Sequence, residues 1–107
     1  MYKVFIVEDE HLIRDSLRKQ VLELSKSYPI TYVGEAGDGE MALASILDFQ
    51  PDIILTDIKM PFMDGLTFAR EARKALPWVR IIFISGFDDF EYAKGAIQVQ
   101  ADEYLLK

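Results

Sequence analysis

The feature that most limits the possible folds is a set of short apolar runs separated by segments of helical periodicity. Three runs are almost continuously apolar, as parallel strands covered on both faces are; they span Tyr2–Val7, Ile53–Thr56 and Val79–Ile84. Two further runs, Ile30–Ala36 and Glu103–Leu106, are also predicted to be strands, and the first alternates in the manner of an edge strand.

Apolar residues recur at helical spacing between these runs. The first predicted helix covers residues from about 11 to 27, and its apolar face carries Ile13, Leu17, Val21 and Leu24. Asp38 and Asp64 are placed to cap a second and a third helix. Asp88 with Glu91 resembles a capping box for a fourth helix that ends near Val99. The order βαβαβαβαβ predicts right-handed crossovers and an open, doubly wound parallel sheet flanked by helices.

Composition narrows the class of protein further. The 107 residues are enough for one domain, 1–107, and too few for two. The longest apolar runs have about four residues, whereas a membrane helix needs roughly 20. Acidic residues outnumber basic ones 18 to 12, and the net charge of −6 argues against nucleic-acid binding by this chain. The absence of cysteine fits a reducing compartment, so we expect a cytoplasmic protein.

Polar side chains follow four of the predicted strands: Glu8, Asp9 and Glu10 after the first, Asp57 after the third, Ser85 after the fourth and Lys107 after the fifth. Each of them alone has an ordinary explanation as a helix cap, a turn residue or a surface charge. Ligands of open α/β sheets, however, bind outside the carboxyl ends of the strands where the strand order reverses. In the order 2-1-3-4-5, strands 1 and 3 are neighbours there, so Asp9 and Asp57 would face each other.

Such a cluster constrains the chemistry. Neighbouring carboxylates repel, so without a cation at least one should have a raised pKa. Mg²⁺ prefers oxygen ligands and leaves coordination positions for water and phosphate. A carboxylate beside it can attack phosphorus and form an aspartyl phosphate. Lys107 and Ser85 would supply a cation and a hydroxyl donor to the phosphoryl oxygens.

Four segments together resemble the receiver domain of two-component response regulators: "VFIVEDE", "PDIILTDIKMPFMDG", "IIFISGFDDFEYAKGAI" and "ADEYLLK". The resemblance implies a flavodoxin-like, CheY-like sheet of five parallel strands in the order 2-1-3-4-5. The sequences of the last two segments resemble those of the subgroup whose receivers are joined to an AraC-type DNA-binding output domain. A sensor histidine kinase would be the partner that donates the phosphoryl group, and the output would be transcription regulation.

The resemblance also implies a role for each site residue. Asp57 would be the phosphoacceptor, and Asp9 would ligate Mg²⁺ directly while Glu8 acts through water. The backbone carbonyl of Lys59 would be a further metal ligand. Ser85 would bind a phosphoryl oxygen and Lys107 would form an ion pair with it. Tyr104 would turn inward when Ser85 moves; the alternative is a strand tyrosine that packs on the sheet.

The loop after Asp57 and the single histidine allow simpler readings. Pro61 fixes the backbone and Gly65 permits a close turn into the third helix. The pair Phe62–Met63 is predicted to pack within the loop rather than to contact a partner. His11, at a helix start, is expected to face solvent without a catalytic role.

Two other functions and one structural consequence complete the predictions. A Mg²⁺-dependent aspartyl-phosphate phosphohydrolase is the alternative, but that class places an acid-base Asp where this chain has Lys59. A flavin- or nucleotide-binding module would need a phosphate-binding loop after strand 1. This chain has acidic residues there, and they would repel a phosphate. Receivers normally continue into a fifth helix that this chain lacks. We therefore expect one face of the sheet to be incompletely covered. Either the chain is part of a longer regulator, or a second copy covers this face in a homodimer.

Overall fold

The computed structural model describes residues 1–85 and the strand at 103–106, and for Ser85 and that strand it describes the backbone alone. Its elements in chain order are β1 (Tyr2–Val7), α1 (His11–Leu24), β2 (Ile30–Ala36), α2 (Gly39–Phe49), β3 (Ile53–Thr56), α3 (Gly65–Ala75), β4 (Arg80–Ser85) and β5 (Glu103–Leu106). The predicted fourth helix, from Asp88 to near Val99, and Lys107 lie outside the described residues.

The strands form one sheet in the order β2-β1-β3-β4-β5, and every pairing is parallel. This confirms the flavodoxin-like, doubly wound fold and the position of β2 at an edge. Because β2 lies on one side of β1 and β3 lies on the other, the strand order reverses between β1 and β3. The carboxyl ends of these two strands are therefore the expected place for a ligand.

The two faces of the sheet are covered unequally. On one face α2 and α3 enclose a large core in which Phe5, Ile54, Ile81 and Phe83 are fully buried. On the other face α1 contributes Val21 to a smaller cluster with Val4 and Ile6, against which Ile53 and Leu55 are only partly buried. Ile54 and Thr56 of β3 are thus buried on one face, while Ile53 and Leu55 on the other face are only partly buried, so the predicted cover of both faces is complete on one face alone.

Both predicted aspartate caps are confirmed. Asp38 Oδ1 accepts the amide of Met41 at 2.8 Å, and Asp64 Oδ1 accepts the amide of Thr67 at 2.8 Å. Each bond satisfies one of the amides that a helix N-terminus leaves unpaired. The caps fix the first turns of α2 and α3 immediately after two of the loops that surround the carboxyl ends of the strands.

Two element boundaries differ from the prediction. α1 ends at Leu24 instead of near residue 27, because the amides that follow bond in tight turns, Lys26 to Glu23 and Ser27 to Leu24. β4 runs from Arg80 to Ser85 rather than from 79 to 84. The amide of Val79 instead bonds to Leu76 in the turn that follows α3, which leaves Val79 buried but outside the strand.

Helix α2 ends in a conformation that is unusual for its residue. Gln50 follows the helix in the left-handed region, with φ of 47° and ψ of 61°, and its amide bonds to the carbonyl of Ile46. Glycine usually takes this position because it has no Cβ to clash. Pro51 then prevents the helix from continuing, because its ring and its missing amide do not fit a helix interior.

Candidate functional site

Residues Glu8 and Asp57 are the first residues after two neighbouring strands, β1 and β3. The ladder continues past both strands: the Asp57 amide bonds to the Val7 carbonyl at 2.9 Å, and the Glu8 amide bonds to the Ala36 carbonyl at 3.1 Å. The two acidic residues are therefore fixed by sheet hydrogen bonds and not by a mobile loop. This places both carboxylates at the edge where the strand order reverses.

The carboxylates of Glu8, Asp9 and Asp57 converge. Each offers an oxygen, and these oxygens lie within 4.8 Å of one another. Glu8 is 1% exposed and Asp57 5% exposed, whereas Asp9 is more accessible to solvent. Burial of carboxylates at such separations is costly unless a cation or a proton neutralises them. The donor set, oxygen ligands alone, is the one that a hard divalent cation prefers.

The pKa of Asp9 is raised in this cluster. Partial burial raises the pKa of its carboxyl, and the neighbouring charges of Asp57 and Glu10 and a hydrogen bond with Asp57 raise it further. A backbone hydrogen bond acts in the opposite direction without cancelling the rise. The prediction that one carboxyl of the group has a raised pKa is confirmed. The residues present therefore fit a divalent cation such as Mg²⁺.

The backbone around Asp57 fixes the orientation of its side chain. The Ile58 amide donates to Asp57 Oδ1 at 2.8 Å, and the Thr56 hydroxyl donates to the Asp57 carbonyl at 2.9 Å. Thr56 and Ile58 are both buried, so these donors have little freedom to move. A carboxylate held in this way is preorganised at the sheet edge.

Gly65 makes the loop after β3 possible. A Cβ atom at position 65 would lie 1.9 Å from the Asp57 carbonyl oxygen and 2.9 Å from the Cα of Ile58. The Gly65 amide bonds to the Ile58 carbonyl at 2.6 Å, which closes the loop at its base. The predicted close turn into α3 is confirmed, and its cause is backbone-to-backbone contact.

The pair Phe62–Met63 divides between two environments. Met63 packs against the core cluster between the sheet and α2, so the prediction of loop packing is correct for this residue. It is wrong for Phe62, which is 86% exposed with φ of 72°. Of the two consecutive side chains, only that of Met63 reaches the core.

The remaining predicted site residues have less structural description. Lys59 lies two residues after Asp57 and is exposed. Ser85 is the last residue of β4, where its backbone pairs with Leu106, and Tyr104 pairs with Phe83. The side chains of Ser85 and Tyr104, like the whole of Lys107, lie outside the described residues. His11 is 71% exposed and lies 3.3 Å from Asp15, which confirms its solvent-facing position.

Sequence reasoning missed Arg14, which reaches the site from α1. Its Nη1 donates to the Glu8 carbonyl at 2.9 Å, and its Nε donates to Glu35 Oε2 at 3.0 Å. Spacing along the chain gives no signal for this residue, because its partner Glu35 lies on a different element. The predicted strand order places β2 at the edge beside β1, but it does not show which residue of α1 reaches Glu35.

Comparison with known proteins agrees with this class of fold and site. The sequence profile of the family described as "Response regulator receiver domain" matches residues 4–107. The chain therefore belongs to the response regulator receiver domain family.

Relatives give the context of the domain. The chain is 39% identical over 107 residues to the "Uncharacterized transcriptional regulatory protein YesN" of Bacillus subtilis, covering all of this chain and 28% of that protein. It is also 39% identical over 107 residues to the "Transcriptional regulatory protein HptR" of Staphylococcus aureus, covering all of this chain and 41% of that protein. The chain thus spans less than half the length of these relatives.

The fold is shared with a solved structure of close sequence. The REC domain of AraT, a response regulator from Geobacillus stearothermophilus, is 42% identical with a TM-score of 0.88. The likeness covers 99% of this chain and 81% of that one. Within residues 1–85, no helix has the length and apolar character needed to cross a membrane.

Proposed function

We propose that this domain is a phosphorylation switch in which Asp57 accepts a phosphoryl group from a phosphohistidine of a partner histidine kinase, with Mg²⁺ as the cofactor. The observation that carries the proposal is the convergence of Glu8, Asp9 and Asp57, with carboxylate oxygens within 4.8 Å of one another. Membership of the receiver family supports the proposal that Asp57 is the nucleophile and that Glu8 and Asp9 are its acidic neighbours.

The transfer needs little from the protein beyond position and charge. A carboxylate oxygen of Asp57 attacks phosphorus, the bond between phosphorus and the imidazole nitrogen breaks, and the electron pair stays on that nitrogen. The Ile58 amide, at 2.8 Å from Oδ1, limits the directions in which the Asp57 carboxylate can point. Burial of Asp57, at 5% exposure, confines attack to a donor that enters from the open edge of the sheet.

The ligands for the cation would be Asp9, Asp57 and the backbone carbonyl of Lys59, with Glu8 acting through water. When bound, Mg²⁺ would offset the negative charge of the carboxylates and of the phosphoryl oxygens. The raised pKa of Asp9, caused by burial and by the charge of Asp57, supports this assignment. The same electrostatic repulsion that disfavours the ionised carboxyl favours a cation beside it.

Ser85 and Lys107 would serve the phosphoryl group as hydroxyl donor and cation. The strand register supports the pairing, because Ser85 lies opposite Leu106, the residue before Lys107. Tyr104 pairs with Phe83 on the same two strands. We assign Ser85 and Tyr104 to the switch that transmits phosphorylation along the β4–β5 edge.

The output would lie in the remainder of a longer regulator. Relatives with this domain are transcriptional regulatory proteins of which it forms 28% to 41%. We assign DNA binding to such an output domain of AraC type and not to this acidic chain, whose net charge is −6. A cytoplasmic location and homodimerisation through the partly covered sheet face stay predictions.

Phosphorylation by a small donor tests the assignment of Asp57. Wild-type protein incubated with Mg²⁺ and acetyl phosphate should gain the mass of one phosphoryl group, and the adduct should be labile to base. The variant Asp57→Ala should gain none, while Asp48→Ala, which removes an exposed carboxylate on α2, should behave as wild type. Modification of Asp57→Ala, or none of wild type, would contradict the proposal.

A further inference from the structure

Arg14 joins three parts of the molecule at the acidic cluster. Its Nη1 donates to the Glu8 carbonyl at 2.9 Å and its Nε donates to Glu35 Oε2 at 3.0 Å. Its Nη2 lies 3.3 Å from His11 Nδ1. The side chain is only 20% exposed, so these contacts are partly shielded from solvent. Arg14 therefore links the end of β1, the edge strand β2 and the first turn of α1.

The carbonyl that Arg14 binds belongs to the peptide unit between the two acidic residues Glu8 and Asp9. On the other side of Glu8, the amide bonds to the Ala36 carbonyl at 3.1 Å. The backbone of Glu8 is thus held by β2 through its amide and by Arg14 through its carbonyl. Rotation of the Glu8–Asp9 peptide would turn both carboxylates, so its orientation matters to any cation that they hold.

The guanidinium shape is suited to this position. Its planar fork can bond two oxygens in different directions at once, which a single ammonium group does less well. The space around it is also limited, because a Cβ at position 37 would lie 3.2 Å from Arg14 Nη1. Gly37 therefore leaves room for the guanidinium beside the strand ends.

Arg18 provides an internal comparison. It donates to the same carboxylate, with Nη1 2.9 Å from Glu35 Oε1, and its Nη2 donates to Asp15 at 2.8 Å. Among the residues that the structure describes, its hydrogen bonds go to these two side chains and to no atom of the strand ends. Arg14 and Arg18 thus share one partner and differ in contact with Glu8.

We propose that Arg14 is a positioning residue that orients the Glu8–Asp9 peptide for binding of a divalent cation. The proposal rests on the proposed function, since it takes Mg²⁺ as the ligand of the acidic cluster. It assigns Arg14 no contact with the phosphoryl group. Loss of a group that orients a metal ligand commonly weakens metal affinity by about 10- to 100-fold.

Calorimetric titration with MgCl₂ tests the role. Arg14→Ala should bind Mg²⁺ about tenfold more weakly than wild type, and Arg14→Lys, which keeps the charge without the fork, should show a smaller loss. Arg18→Ala should bind within about twofold of wild type, because the Glu8 carbonyl keeps its partner. Saturating Mg²⁺ should restore the rate of phosphorylation of Arg14→Ala by acetyl phosphate.

The outcomes separate this role from the proposed function. Wild type that neither binds Mg²⁺ nor becomes phosphorylated overturns both. Wild type that binds Mg²⁺, with Arg14→Ala equal to it or Arg18→Ala equally weakened, overturns the role of Arg14 alone. If Arg14→Ala fails to fold, Arg14→Lys decides: affinity equal to wild type would show that charge, not geometry, is what the site requires, and the proposal falls.

Discussion

Gly65 lies directly against the backbone of Asp57, so closely that a Cβ atom at position 65 would come 1.9 Å from the Asp57 carbonyl oxygen. The obstacle is backbone on a buried segment, which cannot rotate away as a side chain would. The residue proposed to accept the phosphoryl group and the residue that begins α3 therefore depend on each other.

Gly65→Ala should lower the free energy of unfolding by about 3 kcal/mol, because the backbone of the loop or of Asp57 must shift. Urea unfolding followed by circular dichroism measures this. Gly37→Ala is the comparison, because its Cβ would lie 3.2 Å from a single side-chain atom, Arg14 Nη1, and a shift of a few tenths of an ångström would accommodate it. Equal effects of the two substitutions would contradict the role given to backbone contact.

Asp57→Asn should stabilise the protein in the absence of Mg²⁺ by about 1 kcal/mol, because it removes one of three converging negative charges. The amide oxygen can still accept the Ile58 amide that bonds Oδ1 in the wild type. Added Mg²⁺ should reverse the order: at ten times its Kd, a cation that binds only the folded state contributes roughly 1.4 kcal/mol to wild type.

Thermal unfolding with and without MgCl₂ measures both effects of Asp57→Asn. Asp48→Asn is the control, since it removes an exposed carboxylate of α2 and should leave the Mg²⁺ response as in wild type. An Asp57→Asn variant that is less stable than wild type without Mg²⁺ would contradict the prediction that repulsion between carboxylates dominates at Asp57.

Tyr32 should ionise late in an alkaline titration. Burial, the hydrogen bond to Glu35 and the charge of Glu35 together raise the pKa of its phenol to about 12. The hydroxyl donates to Glu35 Oε1 at 2.7 Å. Because the folded pKa exceeds the usual value, this contribution to stability is complete below about pH 10. It is lost as the pH rises through about 12.

Ultraviolet titration of tyrosinate absorbance resolves this component, and Tyr32→Phe should remove it. Glu35→Gln should lower the pKa of Tyr32 toward its ordinary value without reaching it, since burial remains. An unchanged titration in Glu35→Gln would mean that the carboxylate does not act on the phenol.

Gln50→Gly should raise the free energy of unfolding by about 0.5 to 1 kcal/mol, because Gln50 takes the left-handed conformation with φ of 47°. Gln50→Val should lower it, since a β-branched residue is least tolerant of that region. Chemical denaturation of the three proteins gives the order. Stabilisation by valine would contradict the backbone argument.

The sequence predicts the sheet well because buried parallel strands consist of nearly continuous apolar runs, as in Ile53–Thr56. Asp38 and Asp64 mark helix starts because capping is a local interaction between residues three apart. The acidic cluster is predictable for a similar reason, since strand ends are local features and the strand order brings them together. Local signals thus account for most of the fold and for the three carboxylates.

What the sequence does not predict depends on long-range geometry. The contact of Arg14 with Glu35 requires α1 to pack beside β2, and no local sequence pattern around either residue predicts this contact. Phe62 combines a positive φ with an exposed side chain, and its aromatic character predicts neither. The ends of α1 and β4 shift by a few residues because turn hydrogen bonds compete with the regular pattern.

The short hydrogen bond from the Gly65 amide to the Ile58 carbonyl, 2.6 Å long, closes the loop of residues 59–64 between the end of β3 and the start of α3. In hydrogen-exchange terms, the Gly65 amide belongs with the strands and should exchange as slowly as they do. Phe62, at the tip of this loop, is exposed to solvent. We therefore expect the amides at the loop tip to exchange quickly while the Gly65 amide exchanges slowly, so that motion at Phe62 leaves the backbone of Asp57 in place.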